Sequence, residues 1–177
     1  GIGLLEDLYR VEIDPDPETS RWYSNRCEAL RAETTALDEM RAEPATTLDG
    51  HRVELSANIE LPRDVDAVLQ AGSDGIGLFR TEFFYLGRLE LPTEEEQYAA
   101  YREVAERLAP RPVIYRTMDL GGDKVASYLG TLHETNPFLG YRGIRFALTH
   151  PVVFRTQIRA IYRASAHGKV RMMFPMV

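Results

Sequence analysis

The chain has 177 residues, 44% of them hydrophobic and 27% charged, with a formal net charge of −6. That length holds one medium domain, or one domain with a small appendage. An acidic balance argues against nonspecific nucleic-acid binding, which needs a basic surface, and no apolar run approaches the ~18 residues of a membrane-spanning helix.

Residues 1–13 are apolar and acidic, with a short strand expected at Tyr9–Ile13. Asp14-Pro15-Asp16-Pro17 stops that strand, because proline lacks a backbone donor and aspartate favours turns and caps. From Glu18 to about Ala42 there is no proline or glycine, and helix formers dominate. Trp22, Leu30, Leu37 and Met40 make a sparse apolar stripe among arginine and glutamate. A long charged helix with so thin a stripe suits a connection between domains. Cys27, the single cysteine, allows no intramolecular disulfide. With no secretory pattern at the start, it fits a reducing compartment, and the cytoplasm is the expected location.

After Asp49-Gly50 the pattern becomes β/α alternation. Val53–Ile59 is expected as a strand, with a helix from near Pro62 to Ala71. The next strand ends in Arg80, and Pro92-Thr93-Glu94-Glu95-Glu96 opens the following helix. Thr93 is placed to be its N-cap and Glu96 to complete a capping box. Pro110 and Pro112 close that helix before a strand carrying Arg116. A long connection from Leu120 to about Tyr141 follows, a length that points to function or disorder. Pro151–Ala166 reads as a helix and Val170–Val177 as a last apolar strand.

Two stretches carry the chemistry: Gly75–Glu82 (GIGLFRTE) and Val113–Asp119 (VIYRTMD), the second running on to Lys124. Each is a short strand of the kind buried on both faces in parallel sheets. All but two of the 21 basic residues are arginine, so an arginine on a polar face means little; one ending an apolar strand is different. Such a guanidinium is costly unless an anion or carboxylate meets it. The pair suggests one anionic ligand held from neighbouring strands; the competing reading is a salt bridge to Glu82 or Asp119 that merely closes the strand ends. The fold class is α/β, either a barrel or an open doubly wound sheet. No Gly-x-Gly-x-x-Gly follows the first strand, and arginines at C-terminal strand ends suit a (β/α)8 barrel.

Five blocks stand in order: Gly75–Tyr85 (GIGLFRTEFFY), Leu91–Gln97 (LPTEEEQ), Arg116–Lys124 (RTMDLGGDK), Asn136–Arg145 (NPFLGYRGIR) and Phe174–Met176 (FPM). Together they resemble the PEP-binding domain of the enzyme I family, the phosphoenolpyruvate–protein phosphotransferases of the bacterial sugar phosphotransferase system. The resemblance implies an incomplete (β/α)8 TIM barrel, about its first four β/α units, at residues 46–177. It implies a connecting helix at 17–45 and, at 1–16, the tail of a swivelling phosphohistidine domain. The implied activity moves the phosphoryl group of phosphoenolpyruvate to a histidine of that domain and on to a histidine-containing phosphocarrier protein. Arg80 and Arg116 are implied to grip the phosphoryl group, with Arg142 a third contact and Lys124 a further candidate. Arg145, one helical turn along, is expected to be structural.

Magnesium is implied as cofactor with its glutamate and aspartate ligands beyond Val177. The proton-donor cysteine is expected beyond it too, and the phosphorylated histidine before Gly1. No catalytic or metal residue is therefore expected within these residues, and the isolated chain is expected to be inactive. A homodimer is implied for the full-length protein. The pyruvate phosphate dikinase or PEP synthase branch is the enzyme alternative, and a non-catalytic PEP sensor the other.

Overall fold

The computed structural model describes residues 14–41, 43–120 and 139–177. The expected strand at Tyr9–Ile13 lies outside the described residues, as does most of the long connection, including Lys124. The chain divides into two compact units, Gly1–Glu43 and Pro44–Val177.

The first unit carries helix α1, Pro17–Met40. Pro17 pre-sets the first helical φ and has no N–H to leave unpaired. The Asp16 carboxylate accepts from the backbone N–H of Glu18 at 2.9 Å and of Thr19 at 2.8 Å. No residue of α1 is buried, and Trp22, Leu30, Leu37 and Met40 are all exposed. Trp22 meets Tyr23 edge-on at 4.7 Å and carries the Arg26 guanidinium over its ring.

The second unit is α/β. Strands β1 (Ser56–Ile59), β2 (Gly75–Arg80), β3 (Pro112–Arg116) and β4 (Lys169–Met173) form one sheet in sequential order, every neighbouring pair parallel. Helices α2 (Val65–Gln70), α3 (Glu94–Leu108), α4 (Ile144–Thr149) and α5 (Pro151–Ala164) lie in the crossovers. Thr93 caps α3, its hydroxyl accepting from Glu96 N while the Glu96 carboxylate accepts from Thr93 N at 2.8 Å. The core joins Ile76 and Phe79 of β2, Val113 and Tyr115 of β3, Tyr101, Val104 and Leu108 of α3, and Ile161 of α5. Tyr101 sits 4.9 Å from Tyr115 and edge-on to Phe79, so the aromatic rings join sheet to helix layer. Among the described residues no helix is long and apolar enough to cross a membrane.

Two expectations need correction, and one helix was not expected. Strand β1 begins at Ser56, not Val53, because the residues before it bond elsewhere. The Asp74 carboxylate takes the Leu55 N–H at 2.9 Å, Asp74 N donates to Leu55 O, and Arg52 forms an antiparallel bridge with Thr46. Strand β4 stops at Met173 rather than Val177. Thr117 N still reaches Met173 O at 2.9 Å, but Pro175 has no donor and Met176 turns to φ +64°. Helix α4 carries no expectation from the sequence, since six residues show too little periodicity.

Strand β2 also contains one residue more than its neighbours. Ala57 and Asn58 pair with Ile76 and Leu78, and on the other side Ile76 and Phe79 pair with Val113 and Tyr115. This bulge at Gly77 breaks the period-2 alternation. Ile76 and Phe79 both face the helix-side core, while Leu78 and Arg80 are turned to the opposite side. Glycine is needed at the bulge, since a Cβ there would stand 2.9 Å from Ser56 Cβ.

Candidate functional site

Arg80 and Arg116 are register partners at the C-terminal ends of the adjacent parallel strands β2 and β3. Each strand end continues into a short polar segment that carries an acid. After β2 the chain makes a 3-10 turn, Thr81–Phe84, which presents Glu82. After β3 it runs through Thr117 and Met118 to Asp119.

These acids brace the arginines. Arg116 Nη2 donates to Glu82 Oε1 at 3.0 Å, and its Nη1 lies 3.4 Å from Asp119 Oδ2. Glu82 Oε1 also accepts from Asp119 N at 2.9 Å, so one carboxylate ties both strand ends. Arg142 meets Asp119 bidentately, Nε to Oδ1 at 2.9 Å and Nη2 to Oδ2 at 3.1 Å. Those hydrogen bonds hold the Arg142 guanidinium above its ordinary pKa. The Asp119 side chain is 7% exposed, and those of Arg116 and Arg142 are 20% and 23% exposed. Three low-exposure charged groups in contact make a rigid base.

Arg142 is aimed by the start of α4. Gly143 has φ +56°, a left-handed conformation open to glycine, and a Cβ there would lie 2.7 Å from Pro175 O. Ile144 N donates to that same carbonyl at 3.0 Å, which fastens α4 to the chain just past β4. Arg145 donates to the carbonyls of Leu139 and Gly140 and is a loop fastener, in line with its structural expectation.

Arg80 is held differently. Its Nη1 donates to Glu60 Oε1 at 2.6 Å, but the two side chains are 43% and 62% exposed. An exposed ion pair of this kind contributes only about 0–1 kcal/mol and is readily exchanged for a better anion. Arg80, Arg116 and Arg142 line one cleft of about 380 Å³, with Leu78, Phe83 and Leu86 as its apolar wall. The three cations are matched by Glu60, Glu82 and Asp119 on the same cleft. The Arg116 Nε is buried with no hydrogen-bond partner among the described residues. Salt bridges to Glu82 and Asp119 form at Arg116, Arg80 pairs with Glu60 instead, and an open cleft remains beside the three arginines.

The family described as PEP-utilising enzyme, PEP-binding domain, matches residues 34–177. The chain belongs to that family. Among similar members of this PEP-utilising group, the phosphoenolpyruvate-protein phosphotransferase of Bacillus subtilis (strain 168) is 48% identical over 167 residues, covering 94% of this chain and 29% of that protein. The same-named protein of Staphylococcus carnosus (strain TM300) is also 48% identical with the same coverage, and that of Priestia megaterium is 46% identical. The chain spans a little under a third of the length of the curated relatives it matches.

Within this PEP-binding domain, three of the four residues singled out in the sequence come together, and the fourth, Lys124, lies outside the described residues. Glu82 and Asp119 were legible only as competitors for the arginines, and the structure gives them the role of supports. A signal for this was available: one strand end reads Arg-Thr-Glu and the other Arg-Thr-Met-Asp. Among the described residues no group of three His, Cys, Asp or Glu side chains is placed to hold a metal ion. Glu60, Glu82 and Asp119 are each committed to guanidinium or N–H donors, an arrangement that does not fit a magnesium site.

Proposed function

We propose that the cleft binds phosphoenolpyruvate and that this domain serves a phosphoenolpyruvate–protein phosphotransferase. The observation that carries the reading is the register pairing of Arg80 with Arg116 at the mouth of one cleft. Guanidinium is permanently charged and bidentate toward phosphate and carboxylate, which lysine is not. Phosphoryl transfer needs the equatorial oxygens fixed while charge spreads over them, and pre-placed cations do this without covalent chemistry.

The division of labour follows from exposure. Arg116 and Arg142 are held by Glu82 and Asp119 and offer fixed donors, whereas Arg80 exchanges Glu60 for a ligand oxygen. Lys124 is a further contact in this reading. The four sequential parallel strands serve as the first half of a (β/α)8 barrel whose ligands sit at the C-terminal strand ends. Helix α1 connects this half-barrel to a swivelling domain, of which residues 1–16 are the tail. That domain carries the histidine that takes the phosphoryl group and passes it to a phosphocarrier protein of the HPr type, in a cytoplasmic homodimer of the phosphotransferase system. Magnesium belongs to the complete site, with ligands from beyond residue 177. The dikinase and sensor alternatives are not favoured, since the similar relatives carry the phosphotransferase name.

The test is incubation of the full-length protein with phosphoenolpyruvate labelled in its phosphoryl group, with and without magnesium. Acid-labile, base-stable label on a histidine, dependent on magnesium, is expected. Binding without transfer would make the protein a sensor, and no binding would remove the reading altogether.

A further inference from the structure

Beyond Arg80 and Arg116 the β2–β3 ladder has no further paired residues, yet the two strand ends must stay at a fixed spacing to share one ligand. A single buried side chain from the helix layer spans them. Gln157 of α5 is fully buried; its Oε1 accepts from Met118 N at 2.8 Å, and its Nε2 donates to Thr81 Oγ1 at 2.9 Å. Thr81, also fully buried and next to Arg80, in turn donates its hydroxyl proton to Arg116 O at 2.8 Å. The Gln157 amide also approaches Tyr101 Oη at 3.3 Å.

The directions of these bonds are fixed by chemistry. Met118 N–H can only donate, so the amide oxygen faces it. Thr81 spends its one proton on Arg116 O, so it must accept from the amide nitrogen. An amide supplies a donor and an acceptor at one end without charge, and does so at every accessible pH. We propose that Gln157, acting through Thr81, is the positioning residue that sets the spacing of the two guanidinium-bearing strand ends. The proposal rests on the phosphoenolpyruvate reading for its functional consequence, but not for the tie itself.

A buried glutamine that merely glues the fold is distinguished by replacing it with glutamate. An ionised carboxylate accepts from Met118 N but cannot donate to Thr81, whose hydroxyl turns toward it and releases Arg116 O. Protonated, the carboxyl again offers one donor and one acceptor, and the circuit closes. Desolvation raises the pKa of a buried carboxyl, bringing this change into an accessible pH range. The titratable neighbours of this network are the Tyr101 phenol on α3, held above its ordinary value by burial, and Glu82 at the cleft. Both are also present in the wild type, so the ratio of variant to wild type isolates the new carboxyl.

The experiment measures phosphoenolpyruvate affinity of the full-length protein by calorimetry, with melting recorded at each pH to establish folding. Gln157→Glu is expected to bind within about twofold of wild type near pH ~6 and about tenfold more weakly near pH ~8, a loss equal to about one charge-assisted hydrogen bond. Thr81→Ser should bind like wild type and Thr81→Val about tenfold more weakly. A folded Gln157→Glu or Thr81→Val protein with wild-type affinity at both pH values overturns the proposal. Should Gln157→Glu not fold, the Thr81 pair decides. Should the wild type bind no phosphoenolpyruvate, the functional reading falls. The Nε–H NMR signals of Arg80 and Arg116 then judge the tie: movement with pH in Gln157→Glu but not in wild type supports it, and unmoved signals overturn it.

Discussion

Asp119 braces two of the three cleft arginines. Replacing it by asparagine removes a negative charge bonded to Arg142, at 2.9 and 3.1 Å, and close to Arg116, at 3.4 Å. Removing one partner of a fully buried ion pair costs about 3–5 kcal/mol, because the other charge is stranded. Here the guanidiniums keep 20% and 23% exposure and the asparagine oxygen still accepts one bond, which lowers the cost to about 2 kcal/mol. For a domain of this size that is a fall in Tm of about 4–8 °C. Calorimetric melting of the full-length protein measures it, following the transition of the unit that holds β1–β4. Phosphoenolpyruvate supplies replacement negative charge, so saturating ligand should raise the variant's Tm by more than it raises the wild type's. A Tm within about 1 °C of wild type would show that Asp119 is not the brace the geometry makes it.

The capping box of α3 gives a pH prediction. Glu96 is lowered from 4.5 to about 2, first by its bond to Thr93 N and then by Arg88 and the Thr93 hydroxyl. A depressed carboxyl contributes stability that is present above its ordinary value and lost as pH falls through the lowered one. Acid melts should therefore show the wild type losing stability across that window more steeply than Glu96→Gln, and equal slopes would count against the box. Gly143→Ala forces a Cβ against Pro175 O at a left-handed φ, so about 1–2 kcal/mol of stability and much of the phosphoenolpyruvate affinity should be lost together, as read by melting and titration. The isolated 177-residue chain leaves the outer edges of β1 and β4 unpaired among the described residues and exposes Leu55, Phe174 and Val177. It is expected to self-associate and to be inactive, and a monodisperse monomer with a cooperative melt would contradict that.

Much of the second unit could be read from residue order. Thr93 with Glu96, the proline boundaries around Pro110 and Pro112, and the short apolar runs at β2 and β3 carry local signals that tertiary structure does not override. The arginines were found because a charge ending an apolar strand demands a partner. What stayed hidden depends on distant residues. The late start of β1 is set by the Asp74 carboxylate, 19 residues away from Leu55. The bulge at Gly77 is a register relation between three strands, and it alone decides that Arg80 faces the cleft instead of the core. Gln157, in a helix expected from the sequence with no role for its polar residues, reaches 76 residues back to Thr81. Glu82 and Asp119 were visible as acids, but whether they cancel the arginines or hold them in place is a question of geometry.

The account stands or falls on the two strand-end arginines sharing one anion. The direct measurement is titration of phosphoenolpyruvate into the full-length protein and its Arg80→Ala, Arg116→Ala and double variants. Each single change should weaken binding by about ten- to a hundredfold, the worth of a charge-assisted contact, and the double should lose less than the two losses combined, as coupled contacts to one ligand do. Single variants that bind within about twofold of wild type would show that the ligand sits elsewhere.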